Sequence, residues 1–106
     1  MPDSPPLRRI PDHERHELFN RVYADRLKAG ALIECLEDNK QPSPEKSGMP
    51  ECTRSQYVAL YEESGLKVVG GHRYILPDGS TFGSHELDPK WILHEGVVYV
   101  QVHPST

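Results

Sequence analysis

The stretch from Leu66 to His103 constrains the fold most. It carries Gly70-Gly71, Asp78-Gly79 and Glu95-Gly96, pairs that suit tight hairpin turns because glycine accepts positive φ. Between them lie runs rich in Val, Ile, Tyr, Phe and Trp, the residue types that fit a pleated surface. Glu86-Leu87-Asp88-Pro89 supplies a fourth, longer connection. The spacing predicts an antiparallel meander with strands at 66–69, 72–76, 80–85, 90–94 and 97–103.

Turn positions also set a register. Partners across a hairpin keep a constant sum of residue numbers, and opposed residues share a face. The Asp-Gly turn then places Leu76 by Thr81 and Ile75 by Phe82; the Glu-Gly turn places Leu93 by Val98 and Trp91 by Val100; the four-residue connection places His85 by Lys90. One face collects Leu66, Val68, Ile75, Phe82, Trp91, Leu93, Val98, Val100 and Val102, interrupted by Arg73 and Ser84. This is the face expected to be covered by helices, with Arg73 paired to a helix acid. The other collects Lys67, Val69, His72, Tyr74, Leu76, Thr81, His85, Lys90, Ile92, His94, Val97, Tyr99, Gln101 and His103.

Two helices are expected before this sheet. Pro11-Asp12 opens the first, Leu18, Phe19, Val22 and Tyr23 give it an apolar stripe, and Gly30 ends it. Thr53 and Gln56 have capping-box spacing, and Tyr57, Val58, Leu60 and Tyr61 follow at helical intervals, so a second helix is expected over 53–64. Residues 31–37 fit a short helix or a strand equally well. Residues 1–11, with Pro2, Pro5, Pro6 and Pro11, read as a flexible arm, and 38–52 as a surface loop. The expected fold is α+β: one domain over 12–106, with two N-terminal helices on one face of a four- to five-stranded antiparallel meander. The alternative is helices with a small SH3-like barrel, bent at Gly70, Gly71 and Gly83.

Composition narrows function. The chain has 106 residues and a net charge of −4, from 12 basic and 16 acidic side chains, so nucleic acid is not the favoured partner. Cys35 and Cys52 are too few for a disulfide framework and have no metal-ligand spacing. The start has no apolar run of a secretory signal, and no segment has the length of a membrane span. A cytoplasmic protein without a cofactor is expected.

The open face holds four of the six histidines, His72, His85, His94 and His103, together with Tyr74 and Tyr99. Tyrosine buries area while keeping a hydrogen-bonding tip. The function expected from this face is non-catalytic binding of a protein partner, or of another copy of the chain, through Tyr74, Tyr99, His72, His85, Ile92 and His103. The alternative is a metal-independent ribonuclease in which His72 and His85 move protons, Lys90 holds phosphate and Tyr74 or Tyr99 stacks a base. Two helices followed by an antiparallel sheet resembles the small bacterial toxin ribonucleases, the barnase and RelE-like group, in architecture alone; the resemblance implies that activity and no diagnostic motif accompanies it. A zinc site of His72, His85 and His103 is less favoured. His13 and His16, at i and i+3, do not match the i, i+4 spacing of zinc-peptidase helices.

Overall fold

The computed structural model describes residues 5–41, 48–82 and 87–101. In chain order the elements are β1 (Leu7–Ile10), α1 (Asp12–Val22), α2 (Ala24–Lys28), β2 (Ile33–Lys40), β3 (Arg54–Tyr61), β4 (Lys67–Ile75), β5 (Asp88–His94) and β6 (Val97–Gln101). The six strands form one open sheet in the order β1-β6-β5-β4-β3-β2. β2 to β6 pair antiparallel, each with its sequence neighbour, and β1 adds to the far edge parallel to β6. The two edge strands lie at opposite ends of the sheet, so it does not close into the barrel alternative.

α1 starts where Pro11 fixes an extended backbone and Asp12 and Glu14 meet the positive end of the helix. Leu18 and Phe19 face the sheet. The chain steps at Tyr23, whose hydroxyl donates to the Leu93 carbonyl and ties the α1–α2 junction to β5. Gly30, at φ 75°, ends the helical segment in the left-handed conformation expected of it.

The expected helix at 53–64 is strand β3. Thr53 caps a turn, its hydroxyl donating to Pro50 O at 2.7 Å. Tyr57, Ala59 and Tyr61 then alternate with Val58 and Leu60 across the two faces of an interior strand. A strand apolar on both faces reads as a continuous run, which also satisfies helical spacing. Gly65, at φ 91°, turns the chain from β3 into β4. Of the ambiguous 31–37, residues 33–37 are strand; β2 runs on through 38–40, the expected start of the surface loop, and the arm expected to be flexible contributes β1 through residues 7–10.

Gly70-Gly71 is not a turn. Both residues lie within the unbroken β4. Each leaves room on a different face. A Cβ on Gly70 would sit 2.1 Å from Trp91 Nε1 and 2.7 Å from the Tyr57 hydroxyl; one on Gly71 would sit 2.7 Å from Leu87 Cγ. The glycines are spacers for side chains of neighbouring segments, a use of glycine that looks the same in sequence as a hairpin.

The other turns fare better. Glu95 and Gly96 both have positive φ, 49° and 78°, and the pairing Leu93–Val98 and Trp91–Val100 is as expected. At the Asp-Gly turn the register differs by one, with Ile75 opposite Thr81. The Asp78 carboxylate accepts from Ser80 N at 2.9 Å and Ser80 Oγ at 2.6 Å, and Leu76 N donates to Ser80 O at 2.8 Å. This makes a three-residue loop where two were expected. The expected pairing of His85 with Lys90, and the positions of His85, Gly83, Ser84, Val102 and His103, lie outside the described residues.

Two bulges decide which face is covered. Leu60 pairs with Val69 and Tyr61 with Lys67, so Val68 is an extra residue in β4. Gly70 pairs with Trp91 and Gly71 with Pro89, so Lys90 is an extra residue in β5. The first bulge turns both Val68 and Val69 inward, and both join the buried core with Leu18, Phe19, Leu60 and Ile92. The covered face is therefore that of Val58, Leu60, Val69, Ile92 and Tyr99, and the face of Trp91, Val98 and Val100 is the bare one, the reverse of expectation for β5 and β6, while His72 and Tyr74 of β4 keep the open side expected of them.

Candidate functional site

The bare face is best described in rows, because cross-strand partners share a face. One row runs Arg9, Val100, Trp91, Gly70, Ala59, Cys35 from edge to edge. Toward one end lie Leu7, Val98, Tyr61 and Ile33, with Leu7 58% and Ile33 56% exposed. Toward the other lie His72 and Tyr57, then Tyr74 and Ser55.

At the centre Trp91 and Tyr57 close over the hollow at Gly70. Burial pushes the Tyr57 hydroxyl pKa up, against the hydrogen bond from the Trp91 indole, and Glu37 adds to the rise. Lys67 lies 5.7 Å from the Trp91 ring centroid and is held there by Glu37 at 2.8 Å. That hydrogen bond raises the Lys67 pKa. Glu37 reaches this position because it is the extra residue of a third bulge, between Leu36 and Asp38.

The polar end of the face is built around His72. Its Nε2 is 2.7 Å from Ser55 Oγ, its ring meets Tyr74 edge-on at 4.6 Å between centroids, and its cross-strand neighbour is Asp88. Burial and the Lys90 charge lower the His72 pKa, against the pull of Asp88. Asp88 binds Lys90 at 2.7 Å. Burial works against its charged form, but the Lys90 hydrogen bond and the charges of Lys90, Arg15 and His16 outweigh it and hold the pKa below the ordinary value.

Arg15 is the residue that sequence reasoning missed. It is fully buried; its Nε donates to Pro89 O, and Nη2 contacts both Asp12 and, at 3.4 Å, Asp88. Nη1 has no acceptor among the described residues. Asp12, His16 and Asp88 bring three donor atoms within 4.8 Å of one another. The guanidinium already bonds the carboxylate oxygens a cation would need, so this is an ion-pair network that pins α1 to β5.

Of the residues expected to form the site, His72 and Tyr74 stand on the bare face. Lys90 sits beside them at the bulge, bound to Asp88. Ile92 is 0% exposed beneath the helices, and Tyr99 packs on the core. Tyr99 and His94 line an open groove of about 700 Å³ beside α1, with acids and bases mixed around it. His85 and His103 lie outside the described residues. The expected cluster of four histidines is thus not on one face: of the two described, His72 is on the bare side and His94 on the helix side. Arg73 pairs with a strand acid, Glu34 at 2.5 Å, and with Gln56 at 2.9 Å. Trp91, Tyr57 and Tyr61 are the aromatic residues sequence reasoning left off this face; strict alternation through the unbroken β3 run is the signal that points to the two tyrosines. Cys35 and Cys52 are both exposed free thiols.

No family model matches the chain, and neither the curated proteins nor the solved structures hold a match to it.

Proposed function

We propose that the protein is a non-catalytic interaction module that docks a protein surface onto the bare face of its sheet. The observation that supports this is the make-up of that face: Leu7, Ile33, Val98, Val100, Trp91 and Tyr57 lie across one face of a six-stranded sheet, and none of them belongs to the core cluster formed by the described residues. A contiguous apolar and aromatic patch of this kind is the composition of an interface centre. Lys67 on this face and Lys90 at the bulge beside it are bound to acids, at 2.8 and 2.7 Å, so among the described residues of the face Arg9 is left without an ion pair, too little positive charge for a polyanion.

The test is site-specific photo-cross-linking in the source cell, from positions 74 and 98 on the bare face and position 17 on the exposed side of α1. Cross-linked species are expected from 74 and 98 and not from 17. Cross-linking from 17 alone, or from none of them, overturns the reading. A ribonuclease reading draws on one observation, the lowered pKa that keeps His72 neutral beside Lys90 and Tyr74. It requires RNA cleavage at neutral pH without metal, lost in His72→Ala.

A further inference from the structure

We infer that the partner of the bare face is a second copy of this chain, stacked sheet to sheet about a two-fold axis parallel to the strands. The inference rests on the interaction-module reading and names its occupant.

The first support is extent. Six strands at about 4.8 Å and five residues at about 3.3 Å present roughly 500 Å² in projection, before side-chain relief is added. A stable dimer needs about 800 Å² of accessible surface per partner. The face therefore supports a dimer at the low end of the size range, weak and dependent on concentration.

The second support is the pattern along the rows. The sheet has an even number of strands, so a two-fold axis along the strands falls between β5 and β4. It lays β1 over the partner's β2. β1 and β2 run in the same direction, because β1 is parallel to β6 and three antiparallel steps separate β6 from β3, with a fourth to β2. The two exposed apolar edge residues, Leu7 and Ile33, belong to the same row and would meet across the interface. Arg9, one row on, would lie over the row of Cys35, next to Glu37 and Asp38 on the bulge. Arg9 has no ion pair among the described residues. Glu37 and Asp38 already pair with Lys67 and Lys40, so Arg9 would join those pairs as a further cation, twice, as an isologous interface requires.

The third support is the exclusion of the competing self-contact. Edge-to-edge pairing of β2 with a second β2 would bring Glu34, Glu37 and Asp38 against themselves, and the bulge at Glu37 interrupts the ladder. β1 is only four residues long and carries two adjacent arginines, Arg8 and Arg9. Both edges are guarded, and the face is not.

Analytical ultracentrifugation over a concentration series tests the state: the expected species has twice the 12.0 kDa mass of one chain. Val98→Glu should shift it to monomer by at least tenfold in dissociation constant with an unchanged circular dichroism spectrum. Orientation is tested with a bismaleimide of about 10 Å reach, the separation of stacked sheets, on Arg9→Cys in a Cys52→Ser background. A cross-linked dimer through Cys35 of the other copy is expected, and Arg8→Cys, on the helix side, should give none. A wild-type monomer at hundreds of micromolar overturns the inference. So does a dimer that resists Val98→Glu, or that cross-links from position 8 and not 9. Photo-cross-links from 74 and 98 to a different protein, with the chain itself monomeric, overturn the second copy and leave the interaction module standing; no cross-link to any protein overturns both.

Discussion

Three residues carry most of what is particular here. Gly70 and Gly71 are adjacent, yet they make room for different layers, Gly70 for the Trp91–Tyr57 contact and Gly71 for Leu87. Gly70→Ala should therefore expel the indole: tryptophan emission shifts to the red and Tm falls by about 5–15 °C, from an overpacking cost of about 1–3 kcal/mol. Gly71→Ala should be rescued in part by Leu87→Ala, with a coupling of about 1 kcal/mol or more in a denaturation double-mutant cycle; strict additivity would place the two apart. His72 supplies the pH dependence. Its folded pKa lies below the unfolded value, so the unfolded state takes up a proton first as pH falls. Its contribution is complete above the ordinary histidine pKa, about 6.5, and is lost on acidification toward the lower folded value. Wild-type Tm should drop between neutral and mildly acidic pH, and His72→Gln should flatten that slope while leaving the separate acid limb set by Asp88, which begins at the ordinary carboxylate pKa, where the unfolded state takes up its proton, and runs down to the lower folded value.

At the scale of elements, local signals competed with pairing. The Thr53–Gln56 spacing is a sound helix signal, but the 53–64 segment is flanked by β2 and β4 and supplies the ladder between them. Tyr57, Val58 and Tyr61, aromatic or β-branched, suit that role. The helix at Asp12 was legible because its apolar stripe faces one way and its ends carry acid and glycine signals. β1 was not legible: its four residues alternate too briefly to show a period, and the flanking prolines read as a loop. It exists because β6 offers a free edge, with Arg9 opposite Val100 and Val98 N bonded to Pro6 O at 2.9 Å. Removal of residues 1–10 should accordingly strip hydrogen-exchange protection from Val98–Gln101, with less effect on β3 and β4. Uniform loss across the sheet would mean that β1 supports the whole core.

For the whole molecule, the described helices are short, 11 and 5 residues, and strand dominates. The far-UV circular dichroism should show a β-type spectrum; strong helical minima would restore the expected helix at 53–64. Among the described residues no helix is long and apolar enough to cross a membrane. The candidate site depends on assembly at this scale, since no one strand contains it: Trp91, Tyr57, Gly70 and Lys67 come from β5, β3 and β4.

The sequence by itself determined the mixed α+β class, the first helix, and the β5–β6 hairpin with its register. These follow from local chemistry: caps, periodicity and turn residues act within a few positions of themselves. Only the tertiary structure decided which side of the sheet the helices cover. That choice turns on the single extra residues at Val68 and Lys90, each of which shifts the parity of a strand against its neighbour. Side-chain alternation has a period of two, so one inserted residue is enough to exchange inside for outside, and nothing in the local sequence announces it.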